Sequence, residues 1–451
     1  MRALLRSLLP FFILCGFFFL SEQIERTDTL PLRICSNSLF LLVGYWIRNF
    51  NGLLSLFVLG ILARALFIFH LPELSQDFYR FLWDGQLQQL GINPYLKTPK
   101  ALVDLVGFPD KTLLFEKMGA LSNGNYSNYP PASQLLFKIA ALAHQTNPLQ
   151  GVLVIRLFYF IGEFIVFFAG VSFLKKLNLA PNLIGWYFLN PLVIIEGIGN
   201  LHAEAFMLCF TLLALSQLHT KNSILGGLFF GCAVAIKLLP LLIVPLFYRY
   251  LGGKQFLVFC GALLLISAAF WVPFWEGRMF FNYKETIALW FTTFEFNGSF
   301  YNLIRAIGYQ IKGYNIIRQL GQITPFIVGL LVLIFTFLRP NYTLQSLIKN
   351  ILFLLSIYFF MATTVHPWYI INLIFWGIIS GYAFPLVWSL TVFWSYSAYG
   401  LSGFEENPLL LFAEYLIVYG VLLWELIKGP LGEHLQKPHF FSTQLSPSST
   451  G

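Results

Sequence analysis

In the stretch Ser75–Tyr95, SQDFYRFLWDGQLQQLGINPY, Asp77, Arg80 and Asp84 stand three and four residues apart. On a helix that spacing lays them along one face, where they can brace one another. Tyr79, Trp83 and Tyr95 lie among them, in a chain whose charged residues make up only 11% of the total. A carboxylate held at a membrane surface beside aromatic platforms is what sugar transfer on a lipid carrier requires. The same pattern also fits an interfacial amphipathic helix with a solvated charged face.

The rest of the chain decides what positions this stretch. Hydrophobic residues are 57% of the 451, and the mean hydropathy is +0.72, far from a soluble balance. The expected fold is therefore all-α, a polytopic membrane protein whose Trp and Tyr sit at the interfaces. The net charge of +8 does not imply nucleic acid, because Lys and Arg are spread over short connections instead of forming one basic domain. That spread reads as topology and attraction to membrane lipids. The five cysteines, at 15, 35, 209, 232 and 260, show no paired spacing and read as small core residues.

Residues 4–20 form an apolar run behind Arg2 and Arg6, like a signal-peptide core or a short anchor. Residues 1–48 are accordingly read as an N-terminal extension, peripheral or cleaved, and 49–428 as the transmembrane domain. Spans are expected at about 52–71, 151–174, 183–199, 203–219, 255–274, 322–338, 347–364, 367–384, 386–401 and 409–427. The run 223–248 is broken by Lys237 and Pro240. A lysine at the bilayer centre costs about 2.5–3.5 kcal/mol, so two half-spans with Lys237 at the outer surface are favoured. The count comes to about twelve. It leaves 72–150 as a long extracytoplasmic loop of two or three short surface helices, 275–320 as a second such loop, and 429–451 as a disordered cytoplasmic tail. The chain shows no soluble domain and no clear internal repeat.

This topology gathers costly polar residues at one surface: Asp77, Arg80 and Asp84, then His202 and Glu204, Lys237, Asn297 and Arg305, and His366. Ionisable groups at membrane depth point to a site by default. Each also has a plainer reading, since Lys237 can snorkel, Glu204 can cap a helix, and His366 before Pro367 can be a turn residue. The chain contains no HExxH, GxSxG, Walker or Rossmann pattern, so metalloprotease, hydrolase and nucleotide-driven chemistry lack their motifs. Transfer from a lipid phosphate needs less equipment. One carboxylate acts as base on the acceptor hydroxyl, and cations hold the leaving phosphate.

At DFYRFLWDG and GINPY the chain resembles the polyprenol-phosphate-dependent glycosyltransferases of the C-type fold, bacterial mannosyltransferase-like members above all, with relatives among the GPI mannosyltransferases. NYPP (128–131), GNLHAEAFML (199–208), AIKLLPLL (235–242), FNGSFYNLIR (296–305) and HPWY (366–369) look like that family's remaining blocks in the same order. The resemblance covers about 52–425 and implies inverting transfer of a sugar, by analogy mannose, at the extracytoplasmic face of a bacterial inner membrane. The implied donor is a polyprenyl-phosphate sugar and the implied acceptor a glycan, glycolipid or protein hydroxyl. By the same analogy Asp77 is the base, Asp84 and Arg80 orient it or the acceptor, and Asn93, Tyr95 and Tyr129 shape the sugar pocket with Tyr79 and Trp83. His202, Glu204 and Lys237 would lie near the donor, Lys237 on its phosphate, with Asn297, Arg305 and His366 as further contacts. Gln76 stands where related sequences often carry an acidic residue, and neither a metal nor another cofactor is expected. A flippase or transporter of a polyprenyl-linked sugar is the competing reading, because a span broken at Lys237 is a transporter device.

Overall fold

The computed structural model describes residues 2–50, 52–145, 147–400 and 403–432, with side chains from residue 8 onward. The tail expected to be disordered falls, from residue 433, outside the described residues.

The fold is all-α and polytopic, as expected. Two helices come first, α1 (Arg2–Gln23) and α2 (Thr29–Asn49), followed by the short α3 (Leu53–Ala65). The 72–150 segment then contains α4 (Asp77–Gln89), α5 (Pro99–Leu102), α6 (Lys111–Lys117), α7 (Gly119–Asn123) and α8 (Pro131–Ala143). The bundle continues with α9 (Pro148–Lys176), α10 (Gly185–Phe188), α11 (Glu204–His219), α12 (Ser223–Ile236), α13 (Phe247–Leu251) and α14 (Gly253–Trp271). After these come α15 (Met279–Thr292), α16 (Phe300–Lys312), α17 (Ile317–Phe337), α18 (Leu344–Met361), α19 (Ile370–Ser380), α20 (Phe384–Thr391) and α21 (Pro408–Lys428). A two-residue hairpin, Tyr399–Gly400 against Gly403–Phe404, precedes α21.

Helix starts follow local chemistry. Asn147 and Asn407 each cap a helix whose first residue is proline, their side-chain oxygens accepting from Leu149 N–H and from Leu409 and Leu410 N–H. Pro131 opens α8 in the same way, after the extended Pro130.

The span count differs from expectation. Six described helices are long and apolar enough to cross a membrane, seven if one bent pair is a single span, and six more apolar helices are shorter. The expected spans 183–199, 367–384 and 386–401 are not single helices. Pro181, Asn190 and Pro191 divide the first into a 3-10 turn, α10 and a π-helix at Val193–Gly199, while 3-10 turns at Pro367–Tyr369 and Val392–Ala398 interrupt the other two. Proline removes a backbone donor and clashes with the preceding turn, so apolar runs that pass a hydropathy window still break.

The N-terminal residues are packed in. Ile13, Phe17, Leu32 and Leu39 are buried in the main core, and His70, just past α3, bonds Glu22 of α1. Helix α4 is likewise enclosed, with Phe78, Phe81, Leu82, Trp83 and Leu87 buried. This is not the solvated interfacial helix that the charge spacing also allowed. Gly85 is where α4 meets α8: a Cβ there would lie 2.1 Å from the Phe137 carbonyl oxygen. Gly85→Ala is therefore expected to push the two helices apart and cost about 1–3 kcal/mol of stability. A thermal unfolding midpoint unchanged from the parent protein would show that the contact yields easily.

Candidate active site

The two carboxylates of α4 have different fates. Asp84 is fully buried and accepts from Arg80 Nε at 2.7 Å and from Gln134 Nε2 of α8 at 2.8 Å. Arg80 also donates to the Ser122 and Asn125 carbonyls at 2.5 and 3.0 Å. These two residues therefore tie α4 to α8 and to the 119–125 turn, and their contacts are with each other and not with Asp77.

Asp77 is the first residue of α4, where helix-end N–H groups favour a negative charge. Among the described residues nothing donates a hydrogen bond to its carboxylate. Burial nonetheless raises its pKa, opposed by the nearby charges of Arg26 and Lys237. A carboxylate in this state has free lone pairs and enhanced basicity, the two properties a general base needs.

A second group of polar residues comes from the turn between the π-helix and α11, which are bent by 103° to one another. The irregular backbone is held by two residues that sequence reasoning missed. Arg156 of α9 donates to the Ile198 and Gly199 carbonyls and also to those of Ile68 and His70. Asn200 Oδ1 accepts from the N–H of Leu74, three residues before Asp77. Together they fix the segment leading into Asp77 against the GNLHAE turn. A π-helix ending in a polar turn is a common setting for a functional site.

In that turn His202 and Glu204 are buried, and Lys237 of the α12 break pairs with Glu204. Lys237 is in extended conformation and a quarter exposed, so the expected interruption of 223–248 is where the structure has it. Its ammonium also lies 5.7 Å from the Tyr369 ring. His202 stacks on Trp368 at 3.5 Å between ring centroids, and His366 stacks on Trp368 at 4.3 Å. Both distances are too short for two rings to share one face, so the indole is sandwiched between the two imidazoles. His366 lies in turn against Phe296 at 4.9 Å. Burial and the Arg26 and Lys237 charges push the His366 pKa down to about 3, which leaves it neutral at physiological pH and unable to serve as a cation.

Three polar atoms here, Glu196 Oε2, His202 Nε2 and Glu204 Oε2, are buried and make no hydrogen bond, the first two lying 3.5 Å from each other. Buried polar groups are rarely left so, and water or a polar ligand would satisfy them. Glu196 itself lies in the π-helix, accepts from Tyr396 Oη at 2.7 Å, and was not anticipated.

The other expected site residues have structural contacts. Trp83 packs in the core against Phe108 and Phe115. Tyr95 is buried against Trp271, Phe274 and Tyr283 and donates to the Tyr129 carbonyl at 2.6 Å, so it positions Tyr129. Asn93 bonds the Phe274 carbonyl and the Tyr95 N–H. The Tyr129 ring packs edge-on to Phe81 and Phe137, and its phenol lies within electrostatic range of both Asp77 and Asp84. Tyr79 is half-buried beside Phe78. Asn297, with positive φ, is held by Glu414, Glu406 and Tyr415, and Arg305 pairs with Glu295. The FNGSF and HPWY blocks do meet, since Val365 N–H donates to the Phe296 carbonyl at 2.7 Å. Asp77, Tyr129, His202, Glu204, Lys237 and His366 thus converge, while Arg80, Asp84, Trp83, Asn93, Tyr95, Asn297 and Arg305 are engaged in holding the scaffold.

The architecture so described is that of a polytopic helical protein in which Asp77, His202, Glu204, Lys237 and His366 meet at a polar centre. Comparison places it beside known proteins: residues 38–251, just under half of the chain, match the family described as Alpha-(1->6)-mannopyranosyltransferase, N-terminal domain. The chain is also 25% identical over 167 residues to alpha-(1->6)-mannopyranosyltransferase A of Mycobacterium tuberculosis, a match covering 37% of this chain and 31% of that relative. The chain is thus mannosyltransferase-like, in keeping with the motif blocks. No solved structure matches.

Proposed function

We propose that the protein is an integral-membrane inverting glycosyltransferase that moves a sugar, mannose by its similarity, from a polyprenyl-phosphate donor to an extracytoplasmic glycan or glycolipid. The observation that carries this reading is the approach of one half-buried carboxylate without a hydrogen-bond donor, Asp77, to the Lys237–Glu204 ion pair, in a centre with three buried polar atoms lacking a hydrogen bond. The family match supports the sugar.

In this mechanism Asp77 takes the proton of the acceptor hydroxyl as its oxygen attacks the anomeric carbon. The bond from that carbon to the phosphate oxygen breaks, and its electron pair leaves with the phosphate. Lys237, oriented by Glu204, offsets the charge on the departing group. His202, Trp368 and neutral His366 supply a stacked wall and uncharged ring nitrogens for sugar hydroxyls. Arg80, Asp84, Tyr95 and Arg156 act as positioning residues.

Purified protein given polyprenyl-phosphate mannose and a membrane glycolipid extract is expected to release polyprenyl phosphate and form a mannosylated product. Lys237→Ala should weaken donor use about tenfold to 100-fold while leaving the KM for acceptor unchanged. Equal loss toward both substrates would mean that Lys237 only holds Glu204. The bent π-helix and α11 pair favours a second reading, a flippase, since discontinuous helices serve transporters. Donor movement across vesicles without product formation would decide for it.

A further inference from the structure

Arg26 lies in the link between α1 and α2, inside the segment that reads from sequence as an extension. Its guanidinium carbon sits 3.3 Å from the centroid of the Tyr399 ring. Ile24, two residues earlier, is buried in the core, and Glu25 N–H donates to Asp28 Oδ2, which closes the link into a local turn. The Tyr399 ring is 5.5 Å from Phe296, which packs against His366, and 6.1 Å from Tyr396, which bonds Glu196. Arg26 therefore stands on the rim of the same polar centre as His366 and Glu196.

Charge distinguishes it from Lys237. Lys237 is already paired with Glu204, whereas Arg26 has no carboxylate within ion-pair distance among the described residues, and its buried Nε has no hydrogen-bond partner. A half-buried cation whose neighbouring carboxylates stay beyond ion-pair distance gains from an anion that reaches it directly. Stacking on Tyr399 holds the planar fork in one orientation, the geometry suited to two parallel hydrogen bonds to phosphate oxygens.

We infer that Arg26 is a donor-binding residue that grips the phosphate of the lipid-linked sugar together with Lys237, so that the N-terminal helix pair completes the active site. The inference rests on the transferase reading and adds to it the segment that a sequence reading sets aside.

The test uses the full chain in detergent and measures binding of polyprenyl phosphate and of uncharged polyprenol, alongside transfer kinetics, for the wild type, Arg26→Gln, Arg26→Lys and Tyr399→Leu. Arg26→Gln should lose about tenfold to 100-fold in polyprenyl phosphate affinity and raise the donor KM alike. Acceptor KM should stay in place, the acid limb of the pH profile should move only toward higher pH as the Arg26 charge no longer opposes the raised Asp77 pKa, and Arg26→Lys should recover part of the affinity loss. Tyr399→Leu keeps the charge but frees the fork, so a smaller loss in the same direction is expected and guards against misfolding of Arg26→Gln. Wild-type affinity in a folded Arg26→Gln protein would overturn the inference. So would an acid limb moved to higher pH with donor affinity unchanged, because Arg26 would then act on Asp77 alone. A wild type that binds the phosphate no better than the alcohol would bring down the transferase reading and this inference together.

Discussion

Asp77→Asn is expected to lower kcat by about 100-fold to 10,000-fold while leaving membrane insertion and unfolding temperature close to those of the wild type. The substitution keeps the shape of the side chain and removes its basicity. Because no described residue donates to the Asp77 carboxylate, no structural hydrogen bond is lost with it. Asp84→Asn serves as the contrast: it weakens the bonds from Arg80 and Gln134, so its effect should fall on stability as well as rate. The wild-type pH profile checks the same assignment. A general base works ionised, and burial has raised the pKa of Asp77, so activity should fall on acidification while the pH is still above the usual aspartate range. Turnover near wild type in a folded Asp77→Asn protein would remove Asp77 from the mechanism.

The second large effect concerns stability and lies away from the site. Arg64 of α3 and Glu163 of α9 are both buried and joined at 3.2 Å, with Arg64 also donating to the Gly60 and Phe188 carbonyls and stacked over Phe188. Arg64→Leu leaves Glu163 uncompensated inside the bundle and should cost about 3–5 kcal/mol. Adding Glu163→Leu should return most of that, since replacing a whole buried pair by apolar groups is often neutral. Unfolding curves for the single and double variants, measured in one detergent, check both statements. A double variant as unstable as the single would indicate that the guanidinium acts mainly through the two carbonyls.

What was legible in the sequence, and what was not, follows from what one-dimensional patterns carry. Charged residues in an apolar chain mark places that must be justified, and Asp77, His202, Glu204, Lys237 and His366 do meet in space. Helical spacing puts Asp77, Arg80 and Asp84 on one face but cannot say which carboxylate finds a partner. Here Gln134, fifty residues away in sequence, is the one that takes Asp84. Trp83 and Tyr95 read as platforms because aromatic residues look alike until their neighbours are known, and both are buried. Arg26 was hidden by the apolar run before it, which resembles a leader. Its only signal was a basic residue in the polar interruption SEQIERTD between two apolar segments. Arg64 and Glu163 were hidden in another way, each a single charge that an apolar window averages out. The span count failed where apolar runs break, at 181–203 and 367–369 beside proline or asparagine and at 392–398 in a 3-10 turn without either, positions at which hydropathy stays high while the helix ends.

The proposed mechanism puts the donor's sugar beside residue 77 and its phosphate between Lys237 and Arg26. The most direct measurement is a structure of the Asp77→Asn protein trapped with polyprenyl-phosphate mannose. The expected result places the phosphate within hydrogen-bond reach of the Lys237 ammonium and the anomeric carbon on the side facing Asn at position 77, against the Trp368 wall. A donor bound elsewhere, with the Asp77, Glu204 and Lys237 cluster left empty, would contradict the account.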